Sequence, residues 1–284
     1  MSRQNSKPRK KKTTAEQKFD VAVLIVLAII ELFPIALVIL NSFKTHQQIL
    51  KSPFSLPTSL SLDNFIKTWQ LGEFNQAFMN SIKLSATSIV VAVLLSSCIG
   101  YVLARRKIKQ WKLVTIYFMA ATTVPLQLFL LPLYSLFVKT GLLGNVYAVG
   151  VAIAVWQLPL PIFLMRTYVL KVPLELEEAA QMDGASSFGV FSKVVLPIIS
   201  PGLVTVSIIV GLASWNEYLL TSTLLQGEAN FTATLRYANL NSSFSVDYAI
   251  VMAGAVIMVV PMIIMFLMLQ KRFIEGMVGG AVKG

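Results

Sequence analysis

One stretch of this sequence concentrates side chains with chemistry to offer. It reads Val172-Pro173-Leu174-Glu175-Leu176-Glu177-Glu178-Ala179-Ala180-Gln181-Met182-Asp183-Gly184-Ala185-Ser186, then Phe188, Phe191 and Val194-Val195-Leu196-Pro197. Pro173 suits the first turn of a short helix, where a missing N–H costs nothing. Glu175, Glu177 and Glu178 enrich its first turns, where the backbone dipole favours anions. Gly184 can take the left-handed conformation that ends it. A second short helix follows, capped by Ser186 or Ser187, with Phe188, Phe191 and Val195 on one face at helical spacing. Pro197 and Pro201 punctuate what comes next. The chemistry is recognition: an exposed acidic head that can reach a partner's cation, with an apolar rear. The competing reading is an amphipathic helix lying on a lipid surface, but anionic headgroups would repel its carboxylates.

A second set is Trp215-Asn216-Glu217, inside an apolar run. An indole face and an amide suit a pyranose ring, so these residues are candidates for a substrate path. A helix–helix hydrogen bond is an equal alternative for Glu217, because a charged group at bilayer depth costs on the order of 3 kcal/mol and needs a cavity or a partner. The same argument applies to Glu31, which is expected to be buried against a partner subunit.

Catalytic sets are missing from the sequence. There is no G-x-x-x-x-G-K-[ST] phosphate loop, no H-E-x-x-H and no Cys/His ligand cluster. The single histidine, His46, reads as a solvated surface residue, and the single cysteine, Cys98, as a small packed residue in an apolar run. An intramembrane enzyme is therefore poorly supported, and no cofactor or metal is expected to bind this chain.

The elements that position these groups are membrane spans. Of 284 residues, 56% are hydrophobic and 13% charged, against about a quarter charged in soluble domains. Six apolar runs, at 21–40, 85–104, 113–138, 146–165, 203–220 and 248–269, each have about the length a helix needs to cross the hydrocarbon layer. Pro34, Pro125, Pro159 and Pro261 interrupt some of them, and membrane helices bend at such points.

The net charge of +11 does not indicate nucleic acid, because the cations lie in short segments between apolar runs. Seven fall in residues 1–18, five in 105–112, three among 166–193 and three in 271–284, all on one predicted side. The other side holds six: Lys44, Lys51, Lys67, Lys83, Lys139 and Arg236. Lys/Arg bias marks the cytoplasmic side, which places both termini and the acidic stretch there. The basic start followed by an apolar run reads as an uncleaved signal anchor. The expected organisation is a basic cytoplasmic extension 1–18, a six-helix domain 19–272 that includes the loop 171–200, and a cytoplasmic tail 273–284. Residues 41–84 and 221–247 are expected as external connections, and the sequons at Asn230 and Asn241 are read as chance.

The acidic stretch resembles the EAA signature of ABC importer permeases: Glu-Ala-Ala, three residues, Gly, nine residues, an aliphatic residue, one residue, Leu-Pro. Here these are Glu178-Ala179-Ala180, Gly184, Val194 and Leu196-Pro197, with Val194 in place of the usual Ile. Three further stretches are similar to the carbohydrate branch, specifically to relatives of the maltose transporter's smaller membrane subunit. They are Asn41-Ser42-Phe43-Lys44, Trp215-Asn216-Glu217-Tyr218-Leu219-Leu220 and the terminal Gly280-Ala281-Val282-Lys283-Gly284. The resemblance extends from Phe19 onward and excludes the basic start.

What the resemblance implies is specific. The fold would be an all-α, six-helix type I ABC importer permease of the cell membrane. Glu178, Ala179, Ala180, Asp183, Gly184, Phe188, Leu196 and Pro197 would form the coupling element that docks into the ATPase. Gly280 to Gly284 would reach into the ATPase dimer. Partners would be a second homologous permease, two ATPase subunits that bind ATP and Mg, an extracellular solute-binding protein and membrane lipid. The cargo would be a sugar, with a polyol or glycerol phosphate as an alternative; no internal Arg/Lys cluster supports a phosphate. An ion-driven secondary transporter would need inverted repeats and midplane ionisable sites, and neither it nor a membrane enzyme or receptor accounts for the spacing of the acidic loop.

Overall fold

The computed structural model describes residues 14–240 and 246–281. Among them lie fifteen α-helices: α1 Thr14–Ser42, α2 His46–Lys51, α3 Asp63–Leu71, α4 Phe74–Ala104, α5 Trp111–Ala121, α6 Leu130–Thr140, α7 Val146–Gln157, α8 Pro159–Leu170, α9 Leu174–Met182, α10 Ser187–Val190, α11 Leu196–Ile198, α12 Ser200–Trp215, α13 Leu219–Leu224, α14 Ala233–Leu240 and α15 Tyr248–Ala281. The described residues form no strand. A helix satisfies its own backbone, which is why apolar runs of this length can stand in lipid.

Three helices span without a break: Lys18–Ser42 of α1, the whole of α4, and Tyr248–Met268 of α15. Pro34 and Pro261 lie inside continuous helices. The other three apolar runs are bent pairs. The run predicted at 113–138 divides into α5 and a segment, Leu126–Thr140, that turns by 97°. The run at 146–165 breaks at Leu158 by 60°, with Pro159 opening α8 at its favoured first position. The third pair is Ser187–Ile198 with Ser200–Trp215, bent by 75°, so the run at 203–220 begins earlier and ends sooner than expected: α12 stops at Trp215, and α13 is a separate helix. Counting each bent pair as one span gives six.

The centre of the bundle is α4, against which α7, α8 and α12 pack. It begins eleven residues before the run read from hydropathy, at Phe74, because Asn80, Ser81 and Ser85 lower its apparent apolarity yet are buried. Those small residues do structural work. Ser81, Ser85, Ser88, Ala92, Ser96 and Gly100 recur at helical spacing and all are buried. A Cβ on Gly100 would stand 2.9 Å from the Arg166 backbone nitrogen, and one on Gly150 of α7 would stand 2.9 Å from the Leu84 carbonyl oxygen. Ser88 donates to the Gly150 carbonyl at 2.8 Å. Close backbone approach over small residues is how helices gain packing energy in lipid, where apolar burial drives no association.

The connection 41–84 is folded: it holds α2 and α3 and the first turns of α4. Asn64 on α3 donates to the carbonyls of Ser42 (2.8 Å) and Lys44 (2.9 Å), and Thr68 donates to the Ile250 carbonyl of α15 (3.2 Å). The buried Lys44 ammonium donates to the Ser52 and Pro53 carbonyls. By contrast α1 carries exposed apolar side chains along much of its length, including Leu24, Ile29 and Leu32, and its principal neighbour is α15.

Candidate functional site

The loop 171–200 is built from three local rules. Pro173 caps α9 in an extended conformation (ψ 136°), one position earlier than the first-turn placement expected of it. After Met182 the chain closes on itself: Asp183 N donates to Ala179 O, Gly184 N to Gln181 O and Ala185 N to Ala180 O. Gly184 takes φ +85°, the left-handed region, with open space around its Cα. Ser186 then caps α10, its Oγ accepting from Gly189 N at 3.1 Å. A π-turn, Phe191–Val195, leads into α11.

This architecture divides the predicted coupling residues. Glu178, Ala179, Asp183, Gly184 and Pro197 are exposed, while Ala180 and Leu196 are half-buried against the core formed by Val190, Phe191 and Val195. The expected shared face of Phe188, Phe191 and Val195 does not form. Phe191 and Val195 are buried, but Phe188 is 75% exposed in the first turn of α10, beside the Gly184 turn, where no described element covers it. Met182 is 88% exposed and Leu174 and Leu176 are also exposed, so the outer surface of this unit mixes carboxylates with large apolar side chains.

Sequence reasoning assigned Glu177 only to the helix dipole, and Arg105 only to the charge count. The structure brings them together: the Arg105 side chain donates from Nε to Glu177 Oε1 at 2.7 Å, and Tyr101 Oη donates to Oε2 at 2.8 Å. A signal was present. Successive helix residues point about 100° apart, so of two adjacent glutamates on a docked helix one faces the bundle and needs a cation there.

Trp215, Asn216 and Glu217 sit where α12 ends. The Trp215 ring packs on Phe78 (centroids 5.5 Å), which stacks on Trp69 (5.4 Å), and the Trp215 carbonyl accepts from Thr234 Oγ1 at 2.6 Å. Its Nε1–H is buried without a protein partner. Asn216 is exposed and its Nδ2 donates to the Leu212 carbonyl at 2.9 Å, closing the end of α12. Glu217 accepts from the backbone N–H of Leu220 (2.8 Å) and of Thr221 (2.9 Å), one on each carboxylate oxygen. Its hydrogen bonds are thus local caps of α13 rather than the bond between spanning helices considered above. Glu31 is exposed on α1, and no described element of this chain buries it.

In the connection between α13 and α15, Arg236 on α14 is buried and paired with Glu73 and Glu228, while Asn80 donates to the carbonyls of Ala229 and Phe231. Burial holds the Tyr237 phenol on the same helix above its ordinary pKa. Asn230 is occupied by a 2.8 Å bond to the Gln226 carbonyl; Asn241 lies outside the described residues. At the C-terminal end, α15 continues as helix through Gly280 and Ala281; Val282, Lys283 and Gly284 lie outside the described residues.

Six apolar spans joined to one exposed acidic helix–turn–helix define a multi-pass membrane protein. The chain belongs to the family of binding-protein-dependent transport system inner membrane components, whose description fits residues 96–275. It is a permease of the ABC importer class, in the cytoplasmic membrane. It is 32% identical to a probable ABC transporter permease protein, YurM, of Bacillus subtilis, over 98% of this chain and 92% of that protein. It is 34% identical to the arabinooligosaccharides transport system permease protein AraQ of Halalkalibacterium halodurans, over 91% and 93% respectively. In fold it matches a chain from the crystal structure of a bacterial ABC transporter involved in import of the acidic polysaccharide alginate, with TM-score 0.80 and 21% identity, covering 93% of this chain and 100% of that one.

Proposed function

We propose that this chain is the permease subunit of an ATP-driven importer of an oligosaccharide. The observation that carries the reading is the exposed face of α9 and its turn: Glu178 free to meet a cation, Ala179 allowing close approach, and Gly184 setting the angle to α10. The relative of stated cargo, an arabino-oligosaccharide permease, supports the sugar class. In this reading the chain pairs with a homologous permease, and two ATPase subunits holding ATP and Mg grip the loop 171–200 from the cytoplasm. A solute-binding protein delivers cargo to the folded external segments. The chain contributes no nucleotide site, so coupling is mechanical: the two conformations must differ in their contacts with the ATPases and with the cargo. Both termini are cytoplasmic, and Gly280 to Gly284 extend toward the ATPases.

The test is uptake of labelled oligosaccharides, with arabino-oligosaccharides in the panel, by cells with and without the gene. Co-purification of an ATPase with the tagged permease is measured in parallel. Loss of oligosaccharide uptake on deletion supports the reading. Unchanged uptake of every sugar, with an ATPase still bound, would remove the sugar assignment and leave the permease class.

A further inference from the structure

We propose that Glu177 is the positioning residue that passes movement of α9 into the membrane bundle, through its buried ion pair with Arg105. The inference rests on the reading of the loop 171–200 as the element an ATPase grips, and names the part of the chain that receives the force.

The two side chains are 8% and 5% exposed for Arg105 and Glu177, and no other ion pair among the described residues has both partners so buried. Both carboxylate oxygens are engaged. Oε1 takes both the Nε (2.7 Å) and an Nη2 (2.6 Å) of Arg105, and Oε2 takes the Tyr101 hydroxyl (2.8 Å). The same Arg105 Nη2 donates to the Val172 carbonyl at 2.9 Å, in the link between α8 and α9. The Tyr101 hydroxyl accepts from Lys107 Nζ at 3.1 Å, and its ring packs on Phe191 of the π-turn at 5.0 Å between centroids. One knot therefore ties together the last turn of α4, the residue cap after it, the α8–α9 link, α9 itself and the π-turn.

Its location gives the knot a function beyond holding a loop in place. The main packing neighbours of α9 are α10 and the π-turn, its own neighbours in the chain, so the Glu177 bonds are its tie to α4, the helix on which α7, α8 and α12 pack. A helix held only by apolar contacts can roll when pushed at its outer face. A carboxylate held in a forked guanidinium cannot move without exposing an unpaired buried charge, so displacement of α9 is transmitted to α4. The two adjacent carboxylates divide the labour: Glu178 points outward to a partner and Glu177 inward to the bundle.

The test uses the complete transporter in proteoliposomes, with ATPase co-purification, ATP hydrolysis and cargo uptake each measured. Glu177→Gln keeps the shape and removes the charge. It is expected to retain the ATPase and hydrolysis, while uptake per ATP hydrolysed falls by about tenfold, the scale of one disrupted buried contact. The exchange Arg105→Glu with Glu177→Arg is expected to recover part of that ratio. If Glu177→Gln couples as the wild type does, the proposal is wrong. Loss of uptake only in proportion to lost ATPase also overturns it, because Glu177 is then a docking residue. Should Glu177→Gln not assemble, Tyr101→Phe decides: removing one hydroxyl is expected to lower the ratio by about threefold, and an unchanged ratio overturns the proposal. Glu178→Lys separates the underlying reading. If that variant keeps both its ATPase and full uptake, the loop is not the gripped element at all.

Discussion

At the scale of single residues, Gly184 and Glu217 make the most specific demands. Gly184 stands at φ +85° with nothing near its Cα, so a side chain there would meet no obstacle and the cost of adding one is purely conformational. Gly184→Val should therefore fold and insert, yet raise the energy of the α9–α10 angle by roughly 1 kcal/mol or more. The expected result is weaker retention of the ATPase on co-purification at normal membrane levels of the permease. Equal retention would mean that the angle of this turn is not read by the partner. Glu217 offers the opposite case, a carboxylate spent on two backbone N–H groups. Glu217→Ala should lower stability by about 1 kcal/mol, as loss of a helix cap does, visible as a lower thermal midpoint in detergent, with Glu217→Gln less affected. Were uptake to fall while the midpoint stays put, Glu217 would be acting on the cargo. Trp215→Phe keeps an aromatic ring toward Phe78 and removes the unpartnered Nε1–H together with part of the indole's volume. Reduced uptake with normal assembly is the result expected if that group serves the substrate path; unchanged uptake would make Trp215 a packing residue alone.

At the scale of elements, the small-residue column of α4 predicts which helix contacts fail first. Gly150→Val places a branched side chain against the Leu84 carbonyl, a backbone atom that cannot turn away. Overpacking of this kind typically costs about 1–3 kcal/mol, so the yield of monodisperse protein should drop. Gly141→Val, at a positive-φ helix end with nothing within reach, should be tolerated far better in packing and suffer only backbone strain. If size-exclusion profiles of the two variants match, close approach of α7 to α4 is not what holds the pair. The same elements mark how far the sequence could be read. Long apolar runs announced α1, α4 and α15, and Pro173, Gly184 and Ser186 announced the two short helices of the loop 171–200 and the turn between them. The bends after Ala121 and at Leu158 fall at Pro125 and Pro159, which the sequence marked, but Pro34 and Pro261 lie inside continuous helices, so proline alone did not say which runs break; the end of α12 at Trp215 was hidden, because a broken apolar helix and an intact one have the same composition. The start of α4 was hidden for a related reason: hydropathy counts Asn80 and Ser81 as polar, whereas in the bundle they bond to the chain around Phe231 and to Ala233. Pairing of Glu177 with Arg105 links positions 72 residues apart, which no local pattern reports.

At the scale of the whole molecule, charge distribution predicts an orientation in the bilayer. Eighteen Lys/Arg lie in the segments assigned to one side and six in those assigned to the other. A reporter fused after Lys271 should behave as cytoplasmic, and one inserted near Asp63 as external. The reverse at either position would invert the bundle and place α9 beyond the reach of any cytoplasmic ATPase. The packing of α1 has a different consequence, one of timing. Its chief neighbour within the chain is α15, so the first span to leave the ribosome docks on the last. Until α15 is made, α1 stands in the bilayer with its apolar side chains toward lipid, and α4 with its serine column gathers α7, α8 and α12 without it. A chain interrupted before Tyr248 would therefore keep the contacts of α4 with α7, α8 and α12 but leave both α1 and α12 without the helix they share.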